Sequence, residues 1–285
     1  MPANIDIRAS RSETGMKSVD RKLRTVRGII RSIGSAAIAF SGGVDSTLVA
    51  KIACDELGKK AVAVTIDSPM FPAKELEQAK LAAGKIGIEH VVVSTNPLES
   101  KAFVGNSPNR CYICKLDDLK EIRRIADSRD LKEVLDGSNA DDKMDYRPGL
   151  KAKEEMRVRS PLAEAKISKA DVREISRMLK LSTATKRSSP CLASRIPYGE
   201  TITREKLWMV EEAEEFLRAK GFDEVRVRIH GTTARIEVSP SEVARLASFG
   251  VRIAVTKKLK SLGFTYVSLD LEGYRMGSLN EVLRR

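Results

Sequence analysis

Apolar positions along this chain follow two different spacings, and the change from one to the other organises the sequence. A basic amphipathic helix is predicted over 19–31. The run SAAIAF at 35–40 is short, apolar and followed by glycines, which marks a buried strand. Over 46–57, Leu48, Val49, Ile52, Ala53 and Leu57 recur at helical spacing, and Gly58 supplies a stop. The alternation repeats with AVAVTI at 61–66, a helix over 73–86, HVVVS at 90–94, a helix over 116–128 and EVLDG at 133–137. Strands alternating with helices imply right-handed crossovers and a parallel sheet covered on both faces. Sheets of that kind bind ligands at the carboxyl ends of their strands.

From about Thr201 the pattern changes. A charged helix over 204–220 ends at Gly221 and leads into two alternating segments, EVRVRIH and ARIEVS, joined by Gly231-Thr232-Thr233, which is a hairpin signal. Helices near 241–249 and 252–262 and the strand TYVSLDL follow. The expectation is an α/β, parallel-sheet domain over 19–200 and a smaller α+β domain over 201–285, with the boundary near Thr201. The polar stretch 1–18 is expected to be a disordered lead-in.

Composition narrows the classes. Of the 285 residues, 42% are hydrophobic and 32% charged, as in ordinary soluble globular proteins. No apolar run approaches the roughly 20 residues that span a bilayer, so no membrane segment is expected. The N-terminal stretch lacks the apolar centre of a secretory signal, which makes the cytoplasm the default location. A net charge of +12 favours anionic partners such as nucleotides, phosphates or RNA. Against RNA, an aromatic content of 5% offers few platforms for stacking exposed bases. In a reducing compartment, Cys111 and Cys114 with the distant Cys191 point to metal or redox chemistry more than to a disulfide frame, while Cys54 falls beside the apolar stripe of a helix and reads as core.

The string Ser41-Gly42-Gly43-Val44-Asp45-Ser46 lies between a buried strand and a helix start. Backbone N–H groups there lack intrahelical partners, and the helix dipole favours an anion. Gly42 and Gly43 permit a tight turn and close approach to phosphate oxygens, and Ser41 and Ser46 add hydroxyl donors. Walker-type loops end in Gly-Lys-Ser/Thr, and this one has no lysine. The ligand-free alternative is a Gly-Gly turn capped by Asp45 or Ser46.

SGGVDS after a first strand resembles the PP-loop signature of the N-type ATP pyrophosphatases, a family that includes GMP synthetase, NAD synthetase and tRNA thiolation enzymes. The resemblance implies an adenine nucleotide alpha hydrolase-like fold that binds ATP at this loop, adenylates a substrate oxygen, and lets nitrogen or sulfur displace AMP. It puts the end of the second strand, with Asp67, beside adenine and ribose, and the loop with Gly137, Asn139, Asp141 and Asp142 near the phosphates and Mg²⁺. Asp141 and Asp142 are hard oxygen donors suited to Mg²⁺, although consecutive loop aspartates are often solvated turn residues.

The motifs NRCYICK (109–115), RSPL (159–162), CLASRIPYG (191–199), RVRIHG (226–231) and LEGYR (271–275) together resemble the LarE family. Members are sulfur transferases that help make the nickel-pincer nucleotide of lactate racemase. The likeness covers nearly the whole chain beyond its first twenty residues and implies a homo-oligomer acting on a small nucleotide. It also implies that Asp45, Lys115 and Cys191 take part in catalysis and that Arg226, Arg228, Glu237 and Arg195 form the substrate phosphate site. On residue types alone, Arg226 and Arg228 share one strand face and can grip a phosphate as a pair, or can be cross-strand charges on a solvated face.

Lys186, Arg187 and Arg195 are cations near Cys191 in sequence, and cations favour thiolate. A lone cysteine at that position reads, in this family, as the sulfur donor itself, consumed in one turnover. This chain adds Cys111 and Cys114, and three thiolates can hold a 4Fe–4S cluster with one iron left for an exogenous sulfide. A Cys₃His zinc site and a redox disulfide are the alternatives, although neither His90 nor His230 is placed as an obvious fourth ligand. A tRNA thiolation enzyme with a three-cysteine cluster, and a nucleotide or metal sensor without turnover, are the rival functions. The sequence leaves open which small molecule delivers the sulfide.

Overall fold

The computed structural model describes residues 7–144, 149–187, 190–275 and 277–283. Two compact units emerge: Met1–Asp67, Ala73–Thr95 and Cys111–Ser189 form the first, and Ser68–Pro72, Asn96–Arg110 and Pro190–Arg285 form the second.

In chain order the elements run α1 (Ile7–Ile33), β1 (Ala36–Ala39), α2 (Val44–Leu57), β2 (Ala61–Asp67), α3 (Ala73–Ile86), β3 (Glu89–Ser94), α4 (Lys101–Val104), α5 (Arg110–Asp127), β4 (Glu133–Leu135), α6 (Gly149–Glu155), α7 (Pro161–Glu164) and α8 (Lys169–Met178). The first sheet has the order β3-β2-β1-β4 with every pair parallel. Alternation along β1 sends Ala36 and Ile38 into one core with Val26, Ile30, Leu48, Val49, Ile52 and Ile175, and Ala37 into another with Leu119, Ile122 and Val134. Both faces are therefore covered, which is why these strands are almost continuously apolar. The segment that contains Arg159 runs beside β4: Arg159 N–H donates to the Val134 carbonyl at 2.9 Å, and Asp136 N–H to the Arg159 carbonyl at 3.0 Å.

The second unit continues with α9 (Arg204–Ala219), β5 (Val225–His230), β6 (Thr233–Val238), α10 (Val243–Ala247), α11 (Phe249–Ser261) and β7 (Tyr266–Leu269). β5 and β6 form the predicted antiparallel hairpin, with Gly231 at φ 58° in its turn. β7 lies parallel to β6, so this sheet is mixed, in the order β5-β6-β7. Val225, Val227 and Ile229 are buried, as are Leu207, Val210, Ala213 and Leu217 of α9.

The parallel sheet and the hairpin agree with the α/β expectation. Two helix starts differ by more than a turn. α1 begins at Ile7, ahead of the apolar periodicity that starts at 19. α5 begins at Arg110, ahead of Leu116, so Cys111 and Cys114 lie within its first two turns and do not precede it. Among the described residues, no helix is long and apolar enough to cross a membrane.

Candidate functional site

In the first unit, the turn between β1 and α2 is shaped by backbone packing. Gly42 has φ 64°, and a Cβ on it would lie 2.8 Å from the Ala79 Cα of α3. A Cβ on Gly137 would lie 2.6 Å from the Ser46 nitrogen, so the loop after β4 presses on the start of α2. Gly43 is the N-cap of α2 and no side chain caps that end, which leaves the first-turn N–H groups to a ligand or water. Ser41 and Ser46 hydroxyls are 3.1 Å apart, and the Ser46 hydroxyl also accepts from Ser41 N–H at 3.2 Å.

Charged groups from later in the chain gather on this turn. Lys169 at the start of α8 pairs with Asp45, and Asn139 Nδ2 donates to the other Asp45 oxygen at 3.2 Å. Asp141 accepts from the Lys169 backbone N–H at 2.8 Å, and Asp142 from Asn139 N–H at 2.9 Å. Both carboxylates thus help to shape the loop. Asp136 is buried and bonded to Lys153 at 2.8 Å and to the Ser160 hydroxyl at 2.6 Å. Burial pushes its carboxyl up, but Lys153 and Ser160, with the more distant Lys115, outweigh that and hold it below the usual range. Lys115 on α5 therefore falls within the field of this loop. At the end of β2, Asp67 accepts from the Ser94 hydroxyl at 3.5 Å, and Thr65 bonds the Phe40 carbonyl at 2.7 Å and His90 Nε2 at 2.8 Å.

Sequence reasoning missed Lys153, Lys169 and the loop contacts of Lys186. Only Lys169 had a local signal, since it follows Ser168 in a capping box closed by Asp171.

Cys111 and Cys114 are one helical turn apart on α5, which places them on one face. Cys111 is exposed and Cys114 half-buried, with its thiol 3.9 Å from the Asp118 carboxylate. Burial pushes Asp118 up to about 6, against the opposing field of Lys115.

In the second unit, the Cys191 segment is fixed through its backbone. Leu192 N–H donates to the Met70 carbonyl at 2.8 Å, and Arg195 Nη1 donates to the Cys191 carbonyl at 3.1 Å. Buried Asn106 donates to the carbonyls of Pro197 at 2.7 Å and Glu200 at 2.8 Å, clamping the far end. Arg195 is itself buried in a two-pronged pair with Glu214 at 2.7 and 2.9 Å. Arg228 is likewise buried, paired with Glu237 at 2.5 and 2.9 Å and donating to the Ser194 carbonyl at 3.0 Å. Arg226 differs: its guanidinium donates to the Val225 carbonyl at 2.7 Å and stacks on Tyr274, and among the described residues no carboxylate forms an ion pair with it. The two hairpin arginines thus do not present an equal pair of open forks. Also among the described residues, no three His, Cys, Asp or Glu side chains are grouped as a metal site.

Comparison with known proteins places this arrangement. The asparagine synthase family model matches residues 23–103, the stretch that holds β1, the Gly-Gly turn and β2. An uncharacterized protein of Synechocystis is 45% identical over 94% of this chain and 100% of its own length. The pyridinium-3,5-bisthiocarboxylic acid mononucleotide synthase of Lactiplantibacillus plantarum is 38% identical over 95% of this chain and 98% of its own. The NH(3)-dependent NAD(+) synthetase of Pyrococcus horikoshii is 39% identical over 30% of this chain and 34% of its own. Identity that runs through both units, and not through the nucleotide turn alone, makes the chain a member of the LarE family of ATP-dependent sulfur transferases, built on a PP-loop domain.

Proposed function

We propose that this enzyme converts the carboxylates of pyridinium-3,5-biscarboxylic acid mononucleotide to thiocarboxylates for the nickel-pincer cofactor of lactate racemase, working in the cytoplasm as a homo-oligomer. The observation that carries the reading is the 38% identity to the synthase, sustained over 95% of this chain. A substrate carboxylate oxygen attacks the α-phosphorus of ATP, and the bond to pyrophosphate breaks. A sulfide sulfur then attacks the acyl carbon, and AMP leaves with the electrons of the carbon–oxygen bond. Each carboxylate therefore consumes one ATP and one sulfide.

Ser41 to Ser46 would bind the departing pyrophosphate through the open N–H groups at the start of α2, which stabilises charge as it develops. Gly137 and Asn139 hold the facing loop, and Asp67 lies at the strand end assigned to the nucleoside. Mg²⁺ would be held by the phosphates with Asp141 and Asp142, whose oxygen donors suit it. Lys115, whose charge reaches Asp136, would bring positive charge to the phosphates, and Arg226 would offer a guanidinium to the substrate phosphate.

Cys111 and Cys114, soft thiols on one helix face, would supply two ligands of an iron–sulfur cluster, and Cys191 is proposed as the third. A 4Fe–4S cluster bound there would supply a replaceable sulfide, so that no protein sulfur is consumed. Its alternative is Cys191 as the donor.

Anaerobic incubation with ATP and the nucleotide tests the reading. Pyrophosphate and AMP should form in step with thiocarboxylate, and no pyrophosphate release would sink it. Mass spectrometry of the reacted protein separates the sulfur sources. An intact Cys191 after several turnovers supports the cluster, whereas a loss of about 34 Da, the mass of H₂S, identifies a sacrificed cysteine.

A further inference from the structure

The nucleotide turn carries no lysine, yet one from far along the chain closes on it. The Lys186 ammonium donates to the Gly42 carbonyl oxygen at 3.2 Å and pairs with the Glu75 carboxylate at 2.8 Å. Both side chains are only 16% exposed. Glu75 and Ala79 stand one turn apart on the same face of α3, and Ala79 is the residue against which Gly42 packs. One helix face therefore holds the turn twice, by backbone contact at Ala79 and through the Glu75–Lys186 pair at the Gly42 carbonyl.

A turn that binds an anion must aim its amide hydrogens at the ligand and its carbonyls elsewhere, because a carbonyl dipole facing a phosphate oxygen repels it. Gly42 at φ 64° is the residue whose rotation would redirect the turn, since glycine alone moves freely in and out of that region. We propose that Lys186, with Glu75 as its counter-ion, is a positioning residue of the nucleotide turn: it fixes the Gly42 carbonyl away from the phosphates and so keeps the amide hydrogens directed at the pyrophosphate of ATP. The proposal rests on the assignment of this turn to ATP. Glu75 neutralises the ammonium, which separates the role from direct phosphate contact.

The test is calorimetric titration of α,β-methylene ATP with Mg²⁺, a nucleotide that cannot release pyrophosphate, into wild-type protein, Lys186→Met, Lys186→Arg and Glu75→Gln. Lys186→Met should weaken binding about ten- to hundredfold, the range of one charge-assisted hydrogen bond. Lys186→Arg should restore most of it, and Glu75→Gln should weaken it several-fold. In turnover, KM for ATP should rise in Lys186→Met while KM for the carboxylate substrate stays unchanged, a split that general loosening of the fold would not produce. Wild-type binding with an unaffected Lys186→Met overturns the proposal. Tighter binding by Glu75→Gln also overturns it, because a freed lysine would then be a phosphate ligand. If Lys186→Met does not fold, Lys186→Arg and Glu75→Gln decide by the same criteria. No binding by the wild type refutes the ATP assignment itself, a result distinct from the others.

Discussion

Replacing Gly42 and Gly43 separately by alanine should give opposite results, although the two glycines are adjacent in one motif. Gly42 sits at φ 64°, where an L residue is disfavoured by about 1–2 kcal/mol. Its new Cβ would also meet the Ala79 Cα at 2.8 Å and the Ala79 nitrogen at 3.2 Å, backbone atoms that no rotamer change can move. Overpacking of that kind costs about 1–3 kcal/mol, so Gly42→Ala should lose about 2–5 kcal/mol in all. Gly43 has φ −78°, and its new Cβ would meet only the Ser41 hydroxyl at 3.3 Å, a side-chain end that need give by only a few tenths of an ångström. Gly43→Ala should therefore stay within about 0.5 kcal/mol of wild type. Urea unfolding gives the stabilities, and pyrophosphate release reports the turn itself. Gly42→Ala should lower the midpoint and abolish release, while Gly43→Ala keeps its midpoint. If Gly42→Ala matches Gly43→Ala in both assays, the packing of the turn on α3 is not what sets its shape.

Further outcomes follow from the charged groups. Asp136 is held below the ordinary carboxylate range, so as pH falls the unfolded chain takes up its proton first. Its contribution is then full above an unfolded pKa of about 4 and lost as pH drops through the lower folded value. Asp136→Asn should lower stability at pH 7 by about 3–5 kcal/mol and flatten the acid limb, and an unchanged acid limb contradicts the pairing with Lys153. Arg228→Ala leaves buried Glu237 without its two-pronged partner and should cost about 3–5 kcal/mol in unfolding, whereas Arg226→Ala should cost about 1 kcal/mol or less yet raise the substrate KM about ten- to hundredfold. Equal destabilisation by the two variants would erase that distinction. Alanine at Cys111, Cys114 or Cys191 should each remove iron and sulfur transfer together while pyrophosphate release survives; loss of transfer from Cys191→Ala alone points to the sacrificial route.

The strands of both units were legible because burial on one face or two imposes its own spacing: SAAIAF and AVAVTI are apolar at all but one position each, and EVRVRIH alternates. The direction of β7 was not legible, since the same alternation serves a parallel or an antiparallel neighbour. α6 and α7 are too short to establish a helical period. α5 was read from Leu116 because the charged residues 115, 117 and 118 dilute the stripe, yet Tyr112 stands one turn before Leu116 and packs with it beside the same core. That earlier start puts the two cysteines on one helix face.

The site was legible in its glycines and serines, which are local, and less so in its cations, which are not. A sequence shows how many arginines lie near a motif but not which carboxylate each one meets. Arg195 meets Glu214, which also accepts from Val227 N–H at 3.1 Å, so a residue that reads as a phosphate ligand acts as a strut between the Cys191 segment and the hairpin. In the hairpin, Glu237 is registered opposite Arg226, but the ion pair forms on the diagonal with Arg228. That choice leaves Arg226 half-buried over Tyr274. Burial, and after it the field of Arg195, lower the affinity of its guanidinium for its own proton. A cation disfavoured by burial and by like charge is stabilised by an incoming dianion more than an arginine already matched to a glutamate would be. If the hairpin holds the substrate phosphate as proposed, those neighbours would make Arg226 the position where a dianion gains most, which is why the KM effect is expected from Arg226→Ala.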